Sequence, residues 1–184
     1  MKWKSNLKEK CNDMNTVILI VGPTGTGKTC AFGIPMLEYV NLQDKRVQEL
    51  VLAPTRELSL QITDELKQLA RFIPGARIAT LYGGQPIPKQ IQQLKRKPQI
   101  VVATPGRLLD MMKRGLADIS RIHTMVLDEA DEMLDMGFRE DIETILVKIP
   151  EDHQTLLFSA TLSPEILDIT KRFQRDPEFI TIVR

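Results

Sequence analysis

With 184 residues and a net charge of +1, the chain is long enough to bury a core, but any nucleic-acid binding must depend on a local basic patch. Its 42% hydrophobic and 27% charged residues are typical of a soluble globular protein, and no apolar run is long enough to span a bilayer. The charged amino terminus excludes a signal peptide, and two cysteines without metal-ligand spacing, Cys11 and Cys30, favour a reducing cytoplasm.

The first predicted strand, residues 17–21, is a run of five apolar residues that leads into a glycine-rich turn. The turn fits the pattern G-x-x-x-x-G-K-[ST], in which backbone N–H groups surround a phosphate at a helix N-terminus. Lys28 adds a positive charge for the β- and γ-phosphates, and the Thr29 hydroxyl is placed to bind Mg²⁺. The predicted nucleotide-binding residues of this loop are Gly22, Pro23, Thr24, Gly25, Thr26, Gly27, Lys28 and Thr29.

Apolar strands alternate with amphipathic helices along the rest of the chain. The helix after the loop runs to Val40, and we expect Pro35 to end or kink it and Cys30 to be buried in its first turn. Further strands are predicted at residues 50–53, 78–82, 100–103, 125–127, 155–158 and 179–183. Further helices are predicted at residues 56–72, 87–94 (with a basic end at 95–97), 104–112, 138–149 and 163–173. This alternation predicts an α/β fold with a parallel sheet covered on both faces.

Two carboxylates, Asp128 and Glu129, directly follow the fifth predicted strand. Hydrolysis of ATP requires Mg²⁺ near the γ-phosphate and a water molecule aimed in line with it. We expect Asp128 to hold the metal through its water shell and Glu129 to orient or deprotonate the attacking water. A solvated acidic turn is the alternative, because Asp131 and further acids follow, but the upstream phosphate-binding loop favours the catalytic interpretation.

As a set, the motifs resemble those of the DEAD-box RNA helicases. Asp128 to Asp131 spell the family's name, and Gly25 to Thr29 resembles its motif I. The other matches are Pro54 to Leu58 (motif Ia), Gly83 and Gly84 (the paired glycines), Thr104 to Arg107 (motif Ib) and Ser159 to Thr161 (motif III). The resemblance implies a RecA-like P-loop NTPase, a three-layer sandwich with a mainly parallel sheet of about seven strands.

The resemblance also implies roles in an RNA-dependent ATPase that uses ATP and Mg²⁺. Lys28, Asp128 and Glu129 would form the catalytic set, with Thr29 and Asp128 at the metal. Contacts to the RNA backbone are implied for Pro54, Thr55, Arg56, Gly84, Thr104, Gly106 and Arg107, with Arg139 as a weaker candidate. Such contacts predict salt-sensitive binding to single-stranded RNA without sequence preference. Ser159 and Thr161, with Asp131 as their partner, would link the nucleotide site to strand separation, although hydroxyls that only close a strand end are the alternative.

The sequence departs from the family pattern in two respects. Residues 1–16 contain no glutamine, so they lack the family's adenine-reading Q motif, and we expect loose discrimination among nucleoside triphosphates. Residues 17–184 match only the ATP-binding domain, and the second RecA-like domain with its arginine fingers has no counterpart. We therefore expect the chain to bind nucleotide but to hydrolyse it poorly. No sequence feature predicts an oligomer, so a monomer is expected.

Two other functions remain open at this stage. The first is an RNA clamp that uses nucleotide as a latch and seldom unwinds a duplex. The second is a P-loop kinase or transferase, which residues 17–29 resemble equally well. That second function leaves the counterparts of motifs Ia, Ib and III unexplained.

Overall fold

The computed structural model describes residues 18–21, 28–174 and 177–181, with only the backbone for 18–21 and 181. Seven strands form one sheet in the order β3-β4-β2-β5-β6-β1-β7, and every neighbouring pair is parallel. The strands are β1 (Ile18–Val21), β2 (Glu49–Leu52), β3 (Ile78–Leu81), β4 (Ile100–Ala103), β5 (Thr124–Leu127), β6 (Gln154–Ser159) and β7 (Glu178–Thr181). The predicted parallel sheet of about seven strands is confirmed.

The helices of the described residues are α1 (Lys28–Tyr39), α2 (Arg56–Ala70), α3 (Ile87–Lys95), α4 (Pro105–Lys113), α5 (Ala130–Asp135), α6 (Arg139–Leu146) and α7 (Pro164–Phe173). None of them is both long enough and apolar enough to cross a membrane. The short helix α5 was not predicted, because only Ala130 and Met133 of its six residues are buried and its acidic sequence is also typical of a turn.

Two outcomes in α1 differ from expectation. The helix does not end at Pro35 but continues to Tyr39, because Pro35 and the residues after it, Met36 and Leu37, are buried against the core. The alternative expectation, a kink at Pro35, stays a prediction. Cys30 is exposed rather than buried, since the neighbouring Ala31 and Phe32 form the buried side of this turn.

The sheet separates two apolar cores, because successive side chains of a strand point to opposite faces. In β2, Leu50 and Leu52 belong to the core beneath α4, α5, α6 and α7, whereas Val51 belongs to the core beneath α1 and α2. In that second core the rings of Phe32 and Phe158 pack edge to face, with their centroids 5.3 Å apart. The architecture is therefore the expected three-layer sandwich.

The parallel sheet brings the predicted functional residues to one edge. Pro54, Thr104, Asp128 and Thr161 each follow the carboxyl end of a different strand, and these ends meet at the same edge of a parallel sheet. Ligands of open α/β sheets bind beyond this edge. The fold thus places the candidate site there.

Candidate functional site

The centre of the site is a contact between the first residue of α1 and the carboxyl end of β5. Lys28 Nζ lies 4.0 Å from Asp128 Oδ1, and the two side chains are only 7% and 5% exposed. Burial raises the pKa of Asp128, although the charge of Lys28 and a 3.1 Å hydrogen bond from the Glu129 backbone N–H oppose this shift. The predicted phosphate ligands from Gly22 to Gly27 lie outside the described residues, so their contacts stay predictions.

Glu129 occupies a special backbone position beside this pair. Its φ of 53° and ψ of 51° are left-handed, a conformation that costs a non-glycine residue about 1 kcal/mol or more. Burial raises the pKa of its carboxyl to about 7, and a hydrogen bond with Glu132 and the charge of Asp128 add to the shift. Glu129 is therefore available as a proton acceptor near neutral pH.

The raised pKa of Glu129 predicts a pH-dependent stability. The group ionises near its ordinary value of 4.5 in the unfolded chain but near 7 in the folded one, so the wild type loses stability as the pH rises across this window. The amide of Glu129→Gln does not titrate in this pH range. Relative to the wild type, the variant should gain about 1 kcal/mol in unfolding free energy between pH 5 and pH 8, after allowance for solvent screening.

Urea unfolding at the two pH values measures this difference. Glu140→Gln is the matched control, because Glu140 is exposed and lies in the first turn of α6. Parallel pH profiles for wild type and Glu129→Gln would contradict the assigned shift.

The half-buried carboxylate of Asp131 joins α5 to the segment after β6. Its Oδ2 accepts hydrogen bonds from the Ala160 N–H (3.1 Å), the Thr161 N–H (3.0 Å) and the Thr161 hydroxyl (3.0 Å). The Ser159 hydroxyl donates instead to the Thr161 carbonyl, at 2.8 Å. Asp131 and Thr161 thus meet as the family pattern implies, whereas Ser159 reaches Asp131 only through Thr161.

Removal of the Asp131 carboxylate should loosen this segment. Asp131→Ala leaves the Ala160 N–H and the Thr161 hydroxyl without this acceptor and leaves the Thr161 N–H only a 3.3 Å bond to the Ser159 hydroxyl, so we expect a loss of about 1–2 kcal/mol in unfolding free energy. Amide hydrogen exchange at Ala160 and Thr161 should become at least about tenfold faster. Asp135→Ala, an exposed acid of the same helix, should change neither quantity.

The residues matched to motifs Ia and Ib lie beside the paired glycines. Thr55 caps α2 by accepting a hydrogen bond from the Leu58 N–H at 3.2 Å, and the guanidinium of the exposed Arg56 lies 5.2 Å from the ring centre of Tyr82. Gly84, two residues beyond Tyr82, has a φ of +81° that favours glycine. Pro54 is buried.

The start of α4 reaches the same surface. Arg107 donates a 3.2 Å hydrogen bond to the Gln85 carbonyl, which holds it next to the paired glycines. Gly106 is exposed, and a Cβ at this position would lie 3.3 Å from the carboxylate of Asp141. Thr104 is buried, at 9% exposure. Through Tyr82 and Gln85, Arg56 and the half-buried Arg107 therefore lie close to the exposed Gly84, and Gly106 directly precedes Arg107 in the chain.

Arg139 differs from the other predicted RNA residues, because two carboxylates already bind its guanidinium. Its Nε lies 3.0 Å from Glu143 Oε1, and its Nη2 contacts Asp168 of α7. These contacts raise the pKa of Arg139 above its ordinary value. In this conformation Arg139 links α6 to α7.

Sequence reasoning missed three residues that position the site. Glu132 contributes to the raised pKa of Glu129, Tyr82 lies beneath Arg56, and Gln85 holds Arg107 through its carbonyl. Glu132 stands three residues after Glu129, the spacing of neighbours on a helix, and this was the available signal. The other two depend on contacts between distant segments.

A family model described as DEAD/DEAH box helicase matches residues 7–169. The ATP-dependent RNA helicase DeaD of Buchnera aphidicola is 51% identical over 165 residues, covering 90% of this chain and 28% of the relative. The DEAD-box ATP-dependent RNA helicase CshA of Geobacillus kaustophilus is 51% identical over 159 residues, covering 86% of this chain and 34% of the relative. The chain thus spans about a third or less of the length of these curated relatives.

Solved structures agree with these relatives. The crystal structure of a DEAD box protein from Methanococcus jannaschii superposes with a TM-score of 0.87 at 43% identity, covering 93% of this chain and 46% of that one. A hypothetical ATP-dependent RNA helicase from Sulfolobus tokodaii superposes equally well at 37% identity, covering 97% of this chain and 51% of that one.

Proposed function

Because the chain belongs to the DEAD/DEAH box helicase family, we propose that residues 17–184 are the RecA-like ATP-binding domain of an ATP-dependent RNA helicase. Residues 1–16 would precede this domain, and a second RecA-like domain would complete the longer protein. The observation that carries the proposal is the buried contact of Lys28 with Asp128, since it joins the end of the phosphate-binding loop to the carboxylate of the DEAD motif.

The residues around this contact suit a nucleotide with magnesium. Thr29 offers a hydroxyl and Asp128 a carboxylate, and Mg²⁺ typically binds one or two protein oxygens and keeps several waters beside the phosphates. When bound, the ion neutralises charge on the phosphates. Lys28 would hold the β- and γ-phosphates, and residues 22–27 would surround them with backbone N–H groups.

Glu129 is the proposed proton acceptor for the attacking water. Its pKa of about 7 allows it to be ionised in part of the molecules at neutral pH and still take up a proton. Glu129 borders a cavity of about 210 Å³ together with Lys28 and Asp131, so the phosphate-binding lysine, the proposed base and the linking carboxylate share one space. A change at the nucleotide can therefore reach the segment after β6 through Asp131.

The exposed surface around Arg56, Gly84 and Arg107 is the proposed site for the RNA backbone. Arginine side chains and exposed N–H groups bind phosphates without reading bases, so binding should be independent of sequence and sensitive to salt. Thr55, Thr104 and Pro54 carry no charge, and because Thr104 and Pro54 are buried, these residues would shape the surface. Arg139 would join it only after leaving Asp168 and Glu143.

Calorimetry and RNA binding test the proposal together. Mg²⁺–ATP should bind the chain, and Mg²⁺–GTP should bind with a comparable constant if adenine is read loosely. A fluorescent single-stranded RNA should bind at low salt, and Arg56→Glu should remove most of this binding without affecting nucleotide binding. Transfer of phosphate to a small acceptor, with no binding of RNA, would favour a kinase and contradict the proposal.

A further inference from the structure

A groove lies along the outer side of β3, away from the proposed nucleotide site. It has a volume of about 730 Å³ and runs between α2 and α3. Leu60, Ile78 and Pro98 give it an apolar floor. Among the described residues, β3 is an edge strand of the sheet.

All charged residues that line the groove are cations. They are Lys67 near the end of α2, Arg77 before β3 and Arg96 at the end of α3. Arg77 is held in place, since its Nη1 donates a 2.6 Å hydrogen bond to the Arg96 carbonyl. Lys67 lies 3.7 Å from Asp64, but both groups are well exposed, so this pair binds the lysine only weakly. The groove therefore suits an anionic occupant.

Side chains of α3 exclude a peptide strand as that occupant. An added strand would need the outward N–H and C=O groups of β3. Gln93 Oε1 already accepts from the Thr80 N–H at 2.9 Å, and Gln90 Nε2 donates to the Tyr82 carbonyl at 2.9 Å. The groove thus offers charges and an apolar floor, but not a free strand edge.

The groove continues from the proposed RNA surface. Tyr82 and Gln85 line its upper end, and these two residues contact Arg56 and Arg107 respectively. A strand of RNA that passes Gly84 would thus meet Tyr82 and Gln85, the two residues that join this surface to the groove. From Tyr82 to Arg77 the chain advances five residues, which in extended form is about 16 Å of groove.

We propose that the groove along β3 binds the backbone of single-stranded RNA that extends beyond the surface of Arg56, Gly84 and Arg107. Lys67, Arg77 and Arg96 would contact up to three further phosphates, and the apolar floor would lie beneath the sugars and bases. The inference rests on the proposed RNA binding of this domain. It names the local basic patch that a nearly neutral chain requires for such binding.

Anisotropy titrations of the chain with labelled oligouridylates of about 6 and 12 nucleotides, within the site sizes common for single-strand binding, test this inference. Each phosphate contact adds about 0.7 to the slope of log affinity against log salt, so the longer RNA should show a slope steeper by up to about 2. Arg96→Glu should lower the slope for the longer RNA by about 0.7. Applied between 1 M and 50 mM salt, this difference in slope corresponds to about eightfold weaker binding of the longer RNA at 50 mM salt. The shorter RNA should be unaffected.

Lys113→Glu is the matched control, because Lys113 is also an exposed cation at the end of a helix but does not line the groove. Failure of the shorter RNA to bind would overturn the proposed function itself. Equal slopes for both RNAs, or equal effects of Arg96→Glu and Lys113→Glu, would overturn only the groove assignment. Binding of a labelled oligoglutamate that Arg96→Glu abolishes, with unchanged RNA slopes, would assign the groove to an acidic peptide and likewise overturn it.

Discussion

Replacing Lys28 by methionine is expected to weaken the binding of Mg²⁺–ATP to the chain by about a hundredfold. Hydrogen bonds to charged groups contribute about 1.5–3 kcal/mol, which corresponds to roughly 10- to 150-fold in affinity. Lys28 is at the upper end of this range, because its ammonium group is almost fully buried and cannot be replaced by water at the same place. Isothermal titration calorimetry of both proteins measures the change.

Lys113→Met provides the control for this substitution, since it removes an exposed lysine that the site does not use. A second variant separates binding from folding. Lys28→Met leaves the buried Asp128 without its cation, which should destabilise the fold, whereas adding Asp128→Asn removes that carboxylate charge and should restore part of the loss. A Lys28→Met protein that is folded and binds Mg²⁺–ATP like the wild type would refute the assigned role of the lysine.

The sequence predicts the edge of the sheet at which the site forms, for a simple geometric reason. Each motif follows a strand, and the carboxyl ends of parallel strands lie side by side. The contact of Lys28 with Asp128 and that of Asp131 with Thr161 both follow from this arrangement. The positions of the strands could also be predicted from the sequence, because buried parallel strands are continuous apolar runs.

Other features depend on contacts that no local pattern specifies. Helix α5 buries only two residues, so it leaves no periodic signal. The position of Cys30 depends on which side of α1 meets the sheet, and the apolar residues around this helix do not specify that side. The binding of Arg139 by Asp168 joins residues 29 positions apart, and the groove along β3 exists only once α2 and α3 flank the edge strand. These features were therefore accessible only from the structure.

Joining the chain to the second RecA-like domain of a DEAD-box helicase is expected to raise RNA-stimulated ATP hydrolysis by about a thousandfold or more over the chain alone. In the proposed site the chain supplies Lys28, Asp128 and Glu129, and arginines of the second domain would face the charge that develops on the transferring phosphoryl group. Arginine fingers contribute about 10³–10⁵ to such reactions. Phosphate release with saturating RNA, measured for the chain and for the fusion, gives the ratio.

Glu129→Gln in the fusion shows whether the faster hydrolysis of ATP depends on the proposed base. Loss of a general base typically costs about 10²–10⁴ in rate, so hydrolysis should fall by at least a hundredfold while ATP binding persists. Glu140→Gln should leave the rate unchanged, because that exposed acid lies outside the cavity of Glu129. Because the pKa of Glu129 is about 7 in the free domain, the rate limited by this base should rise from pH 6 to pH 8. Fast hydrolysis by the Glu129→Gln fusion would show that another group accepts the proton of the attacking water.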